Sequence, residues 1–342
     1  MDFELSAEQR DLQEGIRSLL NGRLPLAATR EREGQRSAVD PSSWDELRDA
    51  GVFSLMVPEA EGGVGLGLAE AAVVFEELGR VLAPGPLVGT CALAPYVSAA
   101  AEGQPHGLIE RRSAGGAIPL IIENAESAVA FGTLPPVDDV VSPVELVTRT
   151  SLDLGEVTTP LDPLTPLSLL RGALPEGTSL DGISNHRVRQ IAMVLTAAFQ
   201  VGIAAQVVDI ATEYAKGREQ FGRPIGGFQA IKHLLADALC RAELARCAVQ
   251  AAAVTLDDAH AAAGEADTMG LSIEQVAWRA VAGAKMLADE AAITNSRTAI
   301  QVHGGMGFTW EVPVHLYLKR ARVLASSLGT RTELADMLAS LI

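Results

Sequence analysis

The sequence has few aromatic and few basic residues, and both shortages exclude classes of protein. Phe, Trp and Tyr make up 4% of its 342 residues, whereas alanine runs are frequent. This composition favours closely packed helices over a β-sandwich. Lys and Arg number 27 against 43 Asp and Glu, which gives a net charge of −16. So acidic a chain argues against general nucleic-acid binding and against binding to anionic membranes.

Cysteine is also scarce, so a disulfide framework is excluded. The chain has three cysteines. Cys240 and Cys247 would lie about 10 Å apart along a predicted helix, which is too far for a disulfide bond. We expect the three cysteines to be small, buried apolar side chains. No Cys-x-x-Cys motif and no histidine pair at ligand spacing predicts a metal site.

Targeting and membrane segments are not indicated by the sequence patterns. We find no stretch of about 18 uncharged apolar residues, the length that a membrane span requires. The first residues, MDFELSAEQRD, are acidic and do not show the basic and then apolar pattern of a signal peptide. We therefore expect a cytoplasmic protein.

Changes in composition along the chain predict three domains. Residues 1–112 show helical periodicity, beginning with a helix at 4–22 for which Ser6 is the predicted N-cap. Residues 113–182 hold short Ile- and Val-rich runs between prolines, which predict a small β-domain, although proline spacing of this kind also fits a linker. Residues 183–342 return to long helices typical of a four-helix bundle. We expect a mainly α fold with a small β-domain.

The stretch YAKGREQFGRPIGGFQAIKHLLAD, residues 214–237, joins two of the long predicted helices. Arg218 lies at the end of the first helix and Gln229 near the start of the second, so both could contact one anion. Arg218 would donate forked hydrogen bonds to a phosphate, and Phe221 would offer a flat face to a ring. By spacing alone, an ordinary corner between two helices is the more frequent explanation of such a segment.

A second candidate is QVHGGMGF, residues 301–308, at the end of the next long helix. Its glycines would let the backbone approach a ligand closely, and Gln301 would supply amide contacts. The simpler interpretation is a glycine that ends a helix before a loop, and His303 is more often a structural histidine than a base. Neither candidate is a dinucleotide fingerprint, because both lack GxGxxG and a preceding strand.

Taken in order, these segments resemble the acyl-CoA dehydrogenase family. Residues 44–87, WDELRDAGVFSLMVPEAEGGVGLGLAEAAVVFEELGRVLAPGPL, are similar to the family's stretch from Trp through Val-Pro-Glu-x-x-Gly-Gly to a Glu-Glu-Leu-Gly helix. Residues 214–237 carry the family's Arg-x-Gln-Phe-Gly and Phe-Gln signature. Residues 301–322, QVHGGMGFTWEVPVHLYLKRAR, match its Gln-x-x-Gly-Gly-x-Gly-Phe segment. The resemblance extends over most of the chain apart from the middle.

The resemblance implies an all-α N-terminal domain, a β-domain, a C-terminal four-helix bundle and FAD shared across a subunit interface. The implied reaction is α,β-dehydrogenation of an acyl-CoA thioester, in which a carboxylate removes the α-proton and the flavin accepts a hydride. The implied electron acceptor is an electron-transfer flavoprotein. In the family, the Arg-x-Gln-Phe-Gly corner and the Gly-Gly loop reach a neighbour's FAD. The matching residues here are Arg218, Gln220, Phe221, Gln229, Gln301, Gly304 and Gly305.

The family's catalytic base is missing at both positions where its members carry it. In most members the base is the Glu of a Glu-Gly-Thr turn, 27 residues after the Gln of the Gly-Gly segment, and that position is Leu328 here. In other members it lies 26 residues before the Arg of the corner, and that position is Ala192. Glu219 and Glu311 are nearby acids, but they match non-catalytic positions. On a short polar turn, the apolar side chain of Leu328 would contribute little stabilisation.

The middle region is shorter than the family's β-domain and lacks its flavin-ring motifs. Neither Thr-Glu-Pro-x-x-Gly-Ser-Asp nor Trp-Ile-Thr occurs there, and Trp44, Trp278 and Trp310 lie outside it. The chain therefore keeps the corner that would reach a neighbour's FAD, but not the base or its own flavin-ring site. We hypothesise a non-catalytic subunit of an α2β2 heterotetramer with a full-length relative. Actinobacterial enzymes that act on steroid side-chain CoA thioesters resemble this arrangement.

Two other hypotheses stay open at this point. One is a homo-oligomeric acyl-CoA dehydrogenase with an unrecognised base, and the other is a scaffold or binding protein that has lost FAD. The retained corner and Gly-Gly loop argue against a scaffold that has lost FAD. The apolar residues Leu328 and Ala192 at the two base positions argue against a homo-oligomeric enzyme. A subunit of a hetero-oligomer should also expose an apolar face on its helical bundle, which periodicity alone does not place.

Overall fold

The computed structural model describes residues 5–111, 120–137, 139, 141–261 and 271–341. Helices dominate the described residues, and the strands are short, so the predicted mainly α fold with a small β-content is confirmed. The helices are α1 Ala7–Arg23, α2 Leu26–Arg30, α3 Pro41–Asp49, α4 Leu68–Arg80, α5 Leu87–Leu93, α6 Ser98–Ala101, α7 Asn185–Gly217, α8 Gln229–Ala261, α9 Ile273–His303, α10 Val314–Leu324 and α11 Arg331–Ser340. The strands are β1 His106–Glu110, β2 Ile121–Glu123, β3 Ala130–Leu134, β4 Glu145–Thr148, β5 Leu154–Glu156, β6 Leu167–Leu170, β7 Thr178–Ser179, β8 Glu219–Gln220 and β9 Arg223–Pro224.

The chain divides into two compact units, one with residues 1–20, 72–82 and 193–342 and the other with residues 21–71 and 83–192. The second unit holds two small sheets with strand orders β1-β3-β4-β7 and β2-β6-β5. Its core includes Ile109, Ile122, Phe131 and Val147, which are almost completely buried. The strand β1 lies before the predicted β-domain and pairs in parallel with β3. A parallel partner of this kind lies far away in sequence, which explains why a local pattern did not indicate it.

The first unit is a helical bundle built on α7, α8 and α9. The buried side of α8 is a stripe of small residues that includes Ala238, Ala242 and Ala245. Because alanine has a short side chain, helices can pack closely along such a stripe, as the alanine-rich composition predicts. At the N-terminus, the backbone N–H of Gln9 donates to Ser6 Oγ at 3.1 Å and the Ser6 N–H donates to Gln9 Oε1 at 3.0 Å. This reciprocal pair confirms Ser6 as a helix cap.

Helix α4 crosses α7 at two glycines within this unit. A Cβ atom at Gly202 would lie 1.9 Å from the carbonyl oxygen of Glu76, and a Cβ atom at Gly79 would lie 2.0 Å from the carbonyl oxygen of Phe199. Both distances are far shorter than any non-bonded contact allows. The two backbones therefore touch, and the Gly of the Glu-Glu-Leu-Gly motif is the residue that permits this contact on α4.

Two adjacent acids of α4 are paired on either side of that crossing. Glu76 is buried and accepts three hydrogen bonds from the Arg246 guanidinium of α8 at 2.9 to 3.1 Å. Glu77 accepts two from Arg17 of α1 at 2.6 and 2.8 Å. Forked pairs of this kind set the orientation of a helix as well as its position. The Glu-Glu-Leu-Gly motif is therefore the anchor of α4 to three other helices of the unit.

The sequence-based statement that no stretch is long and apolar enough for a membrane span does not hold for one helix. Helix α7, Asn185–Gly217, contains an 18-residue window that is long and apolar enough to pass as a candidate span, with a mean hydropathy of 2.0. Of that window, 94% is buried within the protein. A core helix of a bundle passes the same composition test, because it is apolar on all sides where neighbouring helices surround it.

Candidate functional site

The Arg-x-Gln-Phe-Gly corner is a short hairpin between α7 and α8. Strands β8 and β9 pair, and Phe221 and Gly222 form the two-residue turn with φ values of 54° and 76°. Two positive φ values identify the turn type that matches the twist of a tight hairpin. The base of the hairpin is closed because Arg218 N–H donates to Tyr214 O and Ile225 N–H donates to Arg218 O, both at 2.8 Å. The backbone of Arg218 is therefore held on both sides.

The side chains of the corner lie on the surface. Arg218, Gln220 and Gln229 are exposed, and Phe221 has 92% of its surface exposed. The amide of Gln220 donates to the adjacent Glu219 carbonyl at 2.7 Å. An exposed guanidinium, two amides and a flat ring at one corner between two helices can contact a phosphate and an aromatic base together. The sequence prediction that these four residues share one site is compatible with this arrangement.

A second basic group lies beside them, and the sequence reasoning missed it. The Arg223 guanidinium carbon lies 4.1 Å from the ring centroid of Phe228, and Phe228 contacts Phe221 edge-on at 6.1 Å. A guanidinium stacked on an aromatic face keeps its charge while its position is restricted. The signal in the sequence was the spacing of Arg223 and Phe228, five residues apart on either side of a short turn.

Replacement of Phe221 by glycine should stabilise the chain. A non-glycine residue in the left-handed region costs about 1–2 kcal/mol, and the exposed ring buries little surface to offset that strain. We therefore expect Phe221→Gly to raise the free energy of unfolding by about 1 kcal/mol in a urea titration. Phe308→Gly, at an exposed residue with an ordinary φ, is the control and should not stabilise. A destabilised Phe221→Gly chain would contradict the strain assignment.

The Gly-Gly loop begins where α9 ends. Helix α9 ends at His303, and Gly304 has φ 58° and ψ −135°, so the predicted glycine stop is confirmed. A Cβ atom at Gly304 or Gly305 would meet no atom within 4 Å. A bare backbone beside open space is what a ligand needs for close approach. At Gly307 the loop turns back on the helix, since a Cβ there would lie 2.7 Å from the Ile300 carbonyl oxygen.

The corner and the Gly-Gly loop lie at neighbouring helix ends. The rings of Tyr214, in the last turn of α7, and His303, the last residue of α9, stack with centroids 4.1 Å apart and planes 23° apart. His303 Nδ1 lies 2.8 Å from Ala299 O, to which it must donate because a carbonyl only accepts. The expectation that His303 is a structural histidine agrees with its burial and this bond. The sequence reasoning did not single out Tyr214.

The turn that contains Leu328 differs from the sequence expectation in one respect. Leu328 is only 5% exposed, so its apolar side chain is buried and not placed on a polar surface. Its φ is 60° and that of Gly329 is 106°. Thr330 caps α11 with Glu333 in a reciprocal capping box, which requires this chain path. A strained turn with a buried leucine therefore occupies the position at which most family members carry the base.

The buried acid behind this turn is already paired. Lys285 Nζ donates to Asp289 Oδ2 at 2.6 Å and to the Leu324 carbonyl at the end of α10 at 3.1 Å. The other Asp289 oxygen accepts from Gln200 Nε2 at 2.8 Å. Burial raises the pKa of Asp289, and the Lys285 charge opposes that shift. With a hydrogen bond accepted at each oxygen, this carboxylate joins α9 to α7 and, through Lys285, to the end of α10.

The alternative base position, Ala192, is completely buried on α7. In the same unit, Arg189 donates to Glu110 Oε1 at 2.5 Å and to the Pro135 carbonyl at 2.6 Å. Glu110 is thus paired with a buried arginine. Glu219 and Glu311 are exposed, so neither lies in the desolvated pocket that a catalytic carboxylate would need. Among the described residues, no group of three His, Cys, Asp or Glu is arranged to hold a metal.

The first half of α8 exposes apolar side chains. Leu239 and Leu244 are 51% and 65% exposed, and Cys240 and Cys247 lie exposed between and after them. The expectation that the cysteines are buried holds for Cys91 and is wrong for these two. Free cysteine is among the most buried residue types in folded proteins. This face, defined here by the four α8 residues, is where the expected apolar surface of the bundle lies.

Comparisons with known proteins find two family matches and a similar protein that extends over nearly the whole chain. Residues 6–104 match the family description "Acyl-CoA dehydrogenase, N-terminal domain" and residues 191–340 match "Acyl-CoA dehydrogenase, C-terminal domain". The acyl-CoA dehydrogenase IpdE2 of Mycobacterium tuberculosis is 34% identical over 335 residues, which cover 97% of this chain and 96% of that protein.

Two solved structures have similar folds. One chain in the crystal structure of the ChsE4-ChsE5 complex from Mycobacterium tuberculosis superposes with a TM-score of 0.80 at 24% identity, covering 99% of this chain and 98% of that chain. A chain in the structure of the Tcur3481-Tcur3483 steroid ACAD G363A variant superposes with a TM-score of 0.78 at 25% identity, covering 98% of this chain and 97% of that chain.

Proposed function

This chain belongs to the acyl-CoA dehydrogenase family, and we propose that it is the non-catalytic subunit of a hetero-oligomeric, FAD-dependent member. One observation carries the proposal: Leu328 fills the base position as a buried side chain, while Arg218, Phe221 and their neighbours remain exposed. A chain that catalysed the reaction by itself would need a carboxylate at this position or at the alternative one, which is Ala192. A chain without any flavin role would have no need for a strained, exposed Phe221.

The residues of the corner and the Gly-Gly loop fit the nucleotide end of FAD. Arg218 would donate to the pyrophosphate, and Phe221 would contact a flat ring. The open space beside Gly304 and Gly305 lets backbone atoms approach the same ligand. Gln220, Gln229 and Gln301 would supply amide hydrogen bonds around it. When FAD is bound, it accepts the hydride from the acyl-CoA substrate.

The reaction would be divided between two chains. The partner subunit would supply the carboxylate that removes the α-proton and the domain that holds the flavin ring. This chain would hold the nucleotide end in place through charge and shape, and its Leu328 cannot exchange a proton. Orientation of a cofactor by groups that do no chemistry is a substantial part of catalysis, because a misplaced reactant lowers the rate strongly.

The named complexes among similar structures support a partner of the same fold. ChsE4-ChsE5 and Tcur3481-Tcur3483 are both pairs of unlike chains, and the second is described as a steroid ACAD. We propose an α2β2 assembly with a full-length acyl-CoA dehydrogenase-like chain, a steroid or lipid side-chain CoA thioester as substrate and an electron-transfer flavoprotein as acceptor. The apolar α8 face follows the corner directly along the chain, and it would lie against this partner. A cytoplasmic location stays a prediction.

Flavin content of the lone chain and of a co-expressed complex tests this proposal. The second chain would be an acyl-CoA dehydrogenase-like protein encoded by a neighbouring gene. We expect almost no flavin and no dehydrogenation of acyl-CoA by the lone chain, and one FAD per unlike pair in the active complex. One FAD per protomer with turnover by the lone chain would establish the homo-oligomeric alternative. A stable complex without flavin would establish the scaffold alternative.

Thiol labelling of the α8 face provides a second readout of assembly. Cys240 and Cys247 are exposed in the isolated chain, whereas Cys91 is buried and its thiol pKa is raised by burial. An aromatic disulfide reagent should therefore modify both Cys240 and Cys247 in the lone chain and neither of them in the complex, because a thiol must be accessible to react. Cys91 is the internal control in both samples. Two reactive thiols in an intact complex would show that the partner binds elsewhere.

Restoration of an acid at the base position should not restore activity. Leu328→Glu places a carboxyl group in a buried site, so we expect a loss of about 2 kcal/mol or more in the free energy of unfolding. We expect no turnover by the lone chain, because its own flavin-ring site is missing as well. Leu328→Gln is the matched control for size and polarity. Dehydrogenation by lone Leu328→Glu protein, and not by Leu328→Gln protein, would refute this division of roles.

A further inference from the structure

The Tyr214–His303 stack joins the two segments that carry the proposed flavin contacts. Tyr214 lies one helical turn before Arg218, and its carbonyl accepts the Arg218 N–H at 2.8 Å. His303 immediately precedes Gly304 and Gly305 in the chain. A contact of 4.1 Å between the two rings therefore links the phosphate donor to the bare backbone of the loop.

His303 is itself held from two further directions. Its Nδ1 donates to Ala299 O in the preceding turn of α9, which fixes the ring orientation. The loop folds back on it, since a Cβ atom at Gly307 would lie 3.2 Å from the His303 Cβ and 2.7 Å from the Ile300 carbonyl oxygen. The orientation of the His303 ring is thus set by a bond within α9, the loop packs against its Cβ atom, and Tyr214 supplies the ring that stacks on it from the corner.

We propose that Tyr214 and His303 are positioning residues, which set the spacing between Arg218 and the Gly304–Gly305 backbone so that both contact one flavin nucleotide. This inference rests on the proposed function, because it concerns the same site. Neither ring touches the nucleotide in this scheme. Both ends of a ligand can be held tightly only if the groups that hold them are already at the correct distance, since ordering them on binding would reduce affinity.

A double-mutant cycle on FAD affinity separates positioning from general stability. In the co-expressed complex stripped of flavin, we expect Tyr214→Ala to weaken FAD binding about tenfold by fluorescence titration, and Tyr214→Phe, which keeps the ring, to stay within about twofold of the wild type. With Arg218 already replaced by alanine, Tyr214→Ala should weaken binding by only about twofold more, because the residue that it positions is gone.

A control variant and a flavin-free readout complete the test. Val249→Ala makes a cavity in the bundle away from both segments, so it lowers stability and should leave FAD affinity unchanged. In the lone chain, Tyr214→Ala should speed amide hydrogen exchange about tenfold in both 217–222 and 304–308, with 238–249 unaffected.

A fully additive cycle, equal effects of Val249→Ala and Tyr214→Ala on affinity, or unchanged exchange would each overturn the positioning role. Failure of the wild-type complex to take up FAD would instead overturn the proposed function, and the exchange result would still decide whether the stack couples the two segments.

Discussion

Replacement of Gly202 by alanine should destabilise the protein by about 3 kcal/mol or more in the free energy of unfolding. The new Cβ atom would lie 1.9 Å from the Glu76 carbonyl oxygen, a backbone atom that cannot rotate away as a flexible side chain can. Helices α4 and α7 would have to separate. That movement would also strain the forked pair between Glu76 and Arg246, so the effect should exceed that of ordinary overpacking.

Gly283→Ala provides the matched control. Gly283 lies inside helix α9, where a Cβ atom would meet no atom within 4 Å. Alanine is favoured over glycine in a helix by about 0.5–1 kcal/mol, so this variant should be slightly more stable than the wild type. Urea titrations of the two variants should therefore shift in opposite directions. Equal midpoints would mean that the α4–α7 crossing is not the close backbone contact described here.

Replacement of Arg218 by alanine should weaken FAD binding by the assembled protein about 10- to 150-fold, which corresponds to about 1.5–3 kcal/mol. The guanidinium would be the charged donor to the pyrophosphate, whereas Arg223, the other arginine of the hairpin, is stacked on the ring of Phe228. Because Arg218 is exposed in the isolated chain, its loss should leave the free energy of unfolding nearly unchanged. Flavin titration and urea titration of the same variant give both values.

Two variants make the Arg218 result specific. Arg331→Ala removes another exposed arginine of the same unit, one that pairs with Glu290 at 2.6 Å, and should leave FAD affinity unchanged. Arg218→Lys keeps the charge but not the fork, so its affinity should be intermediate. Wild-type affinity in Arg218→Ala, or an equal loss in Arg331→Ala, would exclude the proposed phosphate contact.

Much of the fold could be predicted from local patterns. The cap at Ser6, the end of α9 at Gly304 and the long bundle helices follow from residue types at a helix end and from apolar periodicity, which depend on a few neighbouring residues. The parallel strand β1 and the terminal helix α11 were not predicted. The first pairs with a strand distant in sequence. The second begins at Arg331, and its cap Thr330 is part of the Leu-Gly-Thr turn, which the sequence analysis interpreted only as a turn.

For the candidate site, the sequence predicted where the motif residues lie along the helices, but it did not predict which side chains are buried. The positions of Arg218, Gln229 and the Gly-Gly loop at helix ends were predicted, because the motifs mark those ends directly. The burial of Leu328 and the exposure of Cys240 and Cys247 were predicted wrongly. Residue type gives the average environment of a side chain, whereas the actual one depends on which side of a helix or turn meets the rest of the protein.

The sequence by itself determined the family, the missing carboxylates at Leu328 and Ala192, and the order of helices around a small β-region, because each is written in residue identity and spacing. Only the tertiary structure decided that Tyr214 stacks on His303, that Gly79 and Gly202 let two backbones touch, and that Asp289 accepts a hydrogen bond from Gln200. The physical reason is common to all three. Each contact joins residues from different helices, and such contacts depend on how the helices pack in three dimensions, about which spacing along one chain carries no information.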